Sequence, residues 1–247
     1  MEVLTPKNRQ TGRSRYYYLL LIIFSLLIAS RYNNLLIIKN KNVDSQIIYS
    51  INTEKLLREL ETSDRRWIPI RERKANGDIN YKYKKRSADR DFTIFELEEM
   101  IKIGPDYFIN ERNEIRKLLI KLKEIGVNTE LKNINTEADG LWDWQQRKIS
   151  ITNSLVQQGS VPFLEVLRHE AIHTAQSCFS GNINSRPVRI GLPLQFSKDI
   201  DTLLKHNIYG KNSQEGIYLE REAYTYSKKQ NIALNLLNKL CTQSNNN

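Results

Sequence analysis

Cysteine is scarce: Cys178 and Cys241 are the whole complement of 247 residues. Two thiols exclude any zinc-finger spacing. Histidine is nearly as scarce, at three, so an imidazole-rich metal site must draw on His169, His173 and His206. No apolar run reaches the ~20 residues of a full membrane span. The longest, Tyr16 to Ala29, is relieved only by Ser25 and ends after fourteen residues. No internal repeat is evident. Acidic residues are short in one place only. Residues 1–90 carry 19 of the 38 basic residues and 9 of the 28 acidic ones, so the whole excess of +10 lies there and the remainder is balanced. A neutral C-terminal region argues against a nucleic-acid binder, and no nucleic-acid partner is expected.

What is there centres on Leu167-Arg168-His169-Glu170-Ala171-Ile172-His173-Thr174-Ala175. Helical side chains four apart share a face, so His169 and His173 can grip one metal ion. Glu170 lies beside them. Two imidazole ligands and a carboxylate base within reach of a water are what a zinc hydrolase needs. The surroundings are those of a core helix: Phe163, Leu164, Val166, Leu167, Ala171, Ile172 and Ala175 are apolar. Ser160 is the expected N-cap, with Pro162 in the first turn and Glu165 near the positive end of the dipole.

A hydrolytic zinc site takes a third protein ligand and keeps one position open. The pattern that adds a glycine and a further histidine after the second ligand is excluded, because Gln176 and Phe179 stand there. His206 is one remaining candidate. The segment Tyr218-Leu219-Glu220-Arg221-Glu222-Ala223-Tyr224 is the better source.

With this second motif the chain resembles the gluzincin zinc metallopeptidases, which pair His-Glu-x-x-His with Glu-x-x-Ala on a later helix. The resemblance implies that Glu220 is the third ligand and that Ala223 lets the two helices approach closely. Geometry orders the alternatives. Glu222 is about 200° around the helix from Glu220, so only one of them faces the metal, and Glu215 is about 140° off. Glu222 ranks second and Glu215 third. Many relatives place an Asp one residue after the Ala, where it orients a ligand histidine; here Tyr224 takes that place, which leaves the orienting partner open. The donor for the oxyanion is open among His206, Tyr209, Tyr218 and Tyr224.

The expected architecture is α+β: a mostly helical zincin-like domain over 91–247, with a small β-hairpin before the zinc helix. Residues 1–15 form a basic tail (Lys7, Arg9, Arg13, Arg15). Residues 16–30 read as an uncleaved signal-anchor rather than a cleaved signal peptide, single-pass, with the domain extracytoplasmic, or secreted if the segment is removed. Residues 31–90 read as a basic tether, with a short helix over Glu54 to Glu61 and a solvated linker over 71–90. Thr93 and Glu96 fit a capping box for a helix running to Ile103, which Gly104-Pro105 stops. A second amphipathic helix runs from Asp106 to Ile125, a strand covers Val127 to Ile134, and Gly140–Trp144 with Lys148–Thr152 form the hairpin. In proteases resembling this chain an edge strand at that place pairs with an extended peptide, although Trp142 and Trp144 can equally be core cover. A short helix follows around Phe196 to Lys205. The last helix is expected to run unbroken from Ser213 to Cys241, which would hold the two cysteines far apart as free thiols.

The function this supports is hydrolysis of peptide or protein substrates by one zinc ion per chain, with Glu170 as general base. The alternative is an inactive zinc-binding module tethered to a membrane.

Overall fold

Helix α5 (Ser160–Phe179) is buried on nearly every side, as a helix at the centre of a core must be. The computed structural model describes residues 49–86, 91–133, 138–205 and 213–241, all of which fall within one compact unit, Ile47–Asn247. The expected tail, membrane segment and first part of the tether lie outside the described residues. Among the described residues, no helix is long and apolar enough to cross a membrane.

The fold is α+β, mostly helical, with two small sheets. In the four-stranded sheet the order is β1 (Tyr49–Ser50), β4 (Asn128–Lys132), β6 (Lys148–Thr152), β5 (Gly140–Asp143). β4 and β6 are parallel and the other two pairs antiparallel. Trp142 faces Ile149 in the β5–β6 hairpin, and β5 is the edge strand beside α5. The second sheet is the hairpin β2 (Ile70–Arg73) and β3 (Ile79–Lys82).

The region expected to be a tether is, over residues 49–86, part of the fold. Helix α1 (Thr53–Asp64) is capped by Asn52, whose side chain accepts from the Lys55 amide. Its Leu56, Leu57 and Leu60 are core residues. Each such leucine, fully buried, is worth about 1.5–3 kcal/mol of transfer free energy, enough to hold a helix whose other faces are charged. The linker expected over 71–90 contains the β2–β3 hairpin.

Downstream of residue 91 the elements follow the sequence closely. Thr93 and Glu96 make the full capping box of α2 (Ile94–Ile103). Helix α3 (Ile109–Glu124) buries Ile115, Leu118, Leu119 and Leu122. A five-residue helix, α4 (Ser154–Gln158), leads into α5. Ser160 is not the N-cap of α5. Gly159 is, at φ 91°, and the capping group comes from afar: Asp64, the last residue of α1, accepts from the Ser160 amide and hydroxyl, both at 2.7 Å. A Cβ on Gly159 would meet Asp64 Oδ1 at 2.6 Å, so the left-handed φ and the close cap both require glycine. Asp64 is itself paired with Arg112 at 2.7 Å.

After α6 (Lys198–Leu204) the last helical segment is two helices, not one: α7 (Gln214–Ser227) and α8 (Ile232–Leu240). The break is held by a part-buried ion pair. Arg168 of α5 and Glu114 of α3 make a two-bond contact at 2.8 and 2.6 Å. Glu114 also accepts from the amide of Asn231, which adopts a left-handed turn at φ 58°, and Arg168 donates to the Ser227 carbonyl at 3.3 Å. α8 therefore folds back on α3 and α5, burying Ala233 and Leu237. This overturns the expected free thiols. Cys178 and Cys241 form a disulfide, with Cα atoms 5.2 Å apart; the wide separation held only for an unbroken helix. Glu114→Ala would leave the part-buried Arg168 without its counter-charge and the turn without its acceptor. The expected loss is about 3 kcal/mol of unfolding free energy, read from urea denaturation.

Candidate metal centre

α5 presents His169 and His173 on one face, one turn apart, and α7 packs against that face. Ala223, fully buried, has no side chain beyond Cβ to keep the helices apart. Glu220 therefore reaches both imidazoles. His169 Nε2 and His173 Nε2 are 3.0 Å apart, and Glu220 Oε2 lies 3.2 Å from the first and 3.3 Å from the second. These three atoms could hold one metal ion. Ligands about 2.0–2.2 Å from a tetrahedral zinc stand about 3.3–3.5 Å from one another, so the observed triangle fits such an ion with little movement.

The charges around this triangle are strongly coupled. Burial opposes the charged form of His173, but the Glu220 carboxylate beside it outweighs that and pushes its pKa up to about 9. For Glu220 burial acts upward, and the imidazoles of His173 and His169 overcome it and hold the carboxyl well below the usual range. A site that stabilises a proton between these groups is one that a cation can occupy instead. Glu170, one position along, is held above the ordinary carboxylate range by burial. His169 and His173 pull it down, Glu220 pushes it up, and the Trp142 backbone amide pulls it down again.

Beside the triangle is a cavity of about 280 Å³. His169, Glu170, His173 and Glu220 form its floor; β5, Pro187 and Leu219 form its walls. β5 comes extraordinarily close to the base. A Cβ on Gly140 would lie 2.6 Å from Glu170 Oε1 and 2.6 Å from Val166 Cγ1, so any side chain there must displace one of its neighbours or the strand. The Trp142 indole is buried and donates to Ser177 Oγ at 2.9 Å, so that side chain is core cover, and Trp144 packs against the core as well.

The other sequence candidates fall elsewhere. Glu222 is fully buried but turned from the triangle. Its carboxylate accepts from Gln176 Nε2 and from the amides of Ile190, Gly191 and Leu192, at 2.8–2.9 Å. Glu215 is exposed in the first turn of α7. His206 and Tyr209 lie outside the described residues. Tyr218 accepts from Gln214 at 3.2 Å. Tyr224 lies against His169, with ring centroids 4.3 Å apart and planes tilted by 52°, at the position where the gluzincin pattern has an Asp. The residue that orients His173 is Gln176, whose Oε1 is 2.7 Å from Nδ1. The i+3 spacing from His173 was a usable signal for it. Gly140 and Glu222 gave none, because their partners are remote in sequence. Compared with known protein families, curated proteins and solved structures, the chain matches none.

Proposed function

We propose that this protein is a zinc metallopeptidase of gluzincin type, with His169, His173 and Glu220 as ligands and Glu170 as general base, acting on peptide or protein substrates. The observation that carries this is the triangle of donor atoms at 3.0–3.3 Å with a buried carboxylate next to it, opening on a cavity. Two neutral imidazoles and one carboxylate are the ligand set of hydrolytic zinc sites, and three ligands leave a position for the reaction.

Zinc, when bound there, supplies Lewis acidity that makes a water nucleophilic near neutral pH. The rest is done by the chain. Glu170, raised by burial, accepts the proton of the attacking water and delivers it to the leaving amine. The β5 strand excludes solvent from one side of Glu170. In an antiparallel ladder alternate residues turn their backbone groups outward. Asp139 bonds inward to Thr152 at 2.9 Å, so Gly140 and Trp142 turn their backbone groups away from β6, the Trp142 N–H toward Glu170. An extended peptide can add to that edge whatever its sequence, and Leu141, Pro187 and Leu219 at the cavity favour an apolar side chain next to the cleaved bond.

Residues 16–30 would anchor the domain to a membrane, with the domain extracytoplasmic. The Cys178–Cys241 disulfide supports that side, since such bonds persist in oxidising compartments. The test is metal content per purified chain beside His173→Ala and Glu220→Ala, followed by hydrolysis of a peptide library. One zinc per wild-type chain, lost in both variants, with cleavage that a chelator stops, is expected. A wild-type chain that binds no zinc would end this reading; zinc kept by Glu220→Ala would reassign the third ligand.

A further inference from the structure

We propose that Glu222 is a positioning residue that couples the 186–192 loop to the metal ligand His173 through Gln176. The proposal rests on His169, His173 and Glu220 being metal ligands. The coupling follows from which atoms can donate. Both oxygens of the Glu222 carboxylate act as acceptors. Four N–H groups converge on it: Gln176 Nε2 at 2.9 Å, and the amides of Ile190, Gly191 and Leu192 at 2.9, 2.9 and 2.8 Å. Gln176 Nε2 donates to the Leu219 carbonyl as well, at 3.3 Å.

This fixes the Gln176 amide. With its nitrogen committed to Glu222 and Leu219, its oxygen must be the atom 2.7 Å from His173 Nδ1. An amide oxygen only accepts, so Nδ1 carries the hydrogen and Nε2 is the nitrogen left to meet the cation. One buried carboxylate thus sets the tautomer and the direction of a metal ligand. The same carboxylate holds three successive amides of the loop whose Pro187 forms a wall of the cavity. The cleft wall and the ligand share an anchor. Loosening either changes the bonds available to the other, and thermodynamic linkage makes the effect reciprocal. An amide cannot replace Glu222, because its own NH₂ would face an N–H donor.

The experiment uses the full chain. Zinc affinity is measured by competition with a chromophoric chelator, fold by circular dichroism, and loop protection by hydrogen exchange of the Ile190, Gly191 and Leu192 amides, with and without zinc. The visible spectrum of the Co²⁺-loaded protein reports ligand geometry. In wild type, zinc is expected to slow exchange of those amides about 5-fold or more. Glu222→Gln is expected to bind zinc about 10–100-fold more weakly, to exchange the loop amides faster, and to shift the Co²⁺ bands. Gln176→Met keeps the grip on the loop but cuts the link, so zinc binds more weakly and no longer changes loop exchange. Glu215→Gln, exposed on the same helix, matches wild type. If Glu222→Gln does not fold, Gln176→Met decides. Zinc affinity within 2-fold of wild type in Gln176→Met, or zinc-dependent loop protection that survives in it, overturns the coupling. A wild-type chain that binds no zinc overturns the site itself, and the coupling with it.

Discussion

Glu170→Gln and Gly140→Ala are both expected to keep the metal and to lose the proposed hydrolysis, for different reasons. Glutamine fills the space of glutamate but cannot take a proton. Removing a general base costs about 10²–10⁴-fold in rate, while His169, His173 and Glu220 are untouched, so zinc per chain stays at the wild-type value. Gly140→Ala leaves the base chemically intact and moves it. Its new methyl would sit 2.6 Å from the Glu170 carboxylate and 2.6 Å from a methyl of Val166. Val166 is β-branched and stiff on a helix, so the flexible Glu170 side chain gives way first. A displacement of about 1 Å at a reacting group costs about 10²-fold. Peptide hydrolysis and metal content measured on the same preparations separate the outcomes. A Gly140→Ala enzyme with wild-type turnover would mean that the strand moves instead and that Glu170 is not pinned by β5. A Glu170→Gln enzyme that still cleaves would remove Glu170 from the mechanism.

Some of this was legible in the chain and some was not, and the difference follows the range of the interactions. α5, the capping box at Thr93, the stripe of α3 and the β5–β6 hairpin rest on neighbours a few residues away, so period and cap chemistry are enough to find them. The donor triangle was legible for the same reason at His169 and His173, which are one turn apart, and at Glu220 through the resemblance. α1 was readable as a helix, but its membership of the core was not. Leu56, Leu57 and Leu60 are three apolar residues amid charge, and their burial depends on α3 and α5 far along the chain. The same holds for the cap of α5, supplied by Asp64 across 96 residues, where the local candidate Ser160 looked sufficient. The break between α7 and α8 has no glycine or proline to announce it. It exists because Glu114, 117 residues earlier, accepts the Asn231 amide.

That break decides the most consequential stability prediction. Cys178→Ser with Cys241→Ser should lower the unfolding free energy by about 4 kcal/mol, the loop-closure value for cysteines 63 residues apart. For a domain of this size that is a fall of roughly 10 °C in melting temperature. Mild reduction of the wild type should give the same curve, and the paired variant should then be insensitive to reductant. The bond ties the last turn of α5 to the residue just after α8, so its loss frees α8 first. α8 covers α5 through Ala233 and Leu237, whereas the proposed ligands His169 and His173 sit on the α5 face that α7 closes. Glu114 and Arg168 still hold the turn that positions α7. Zinc affinity should therefore change by only a few-fold while stability falls steeply, the reverse of the signature expected for Gln176→Met. Oxidised and reduced chains that melt together would show that α8 is held by packing and the Glu114 turn alone. A reduced chain that loses its metal before it unfolds would place α8 among the elements that shape the site.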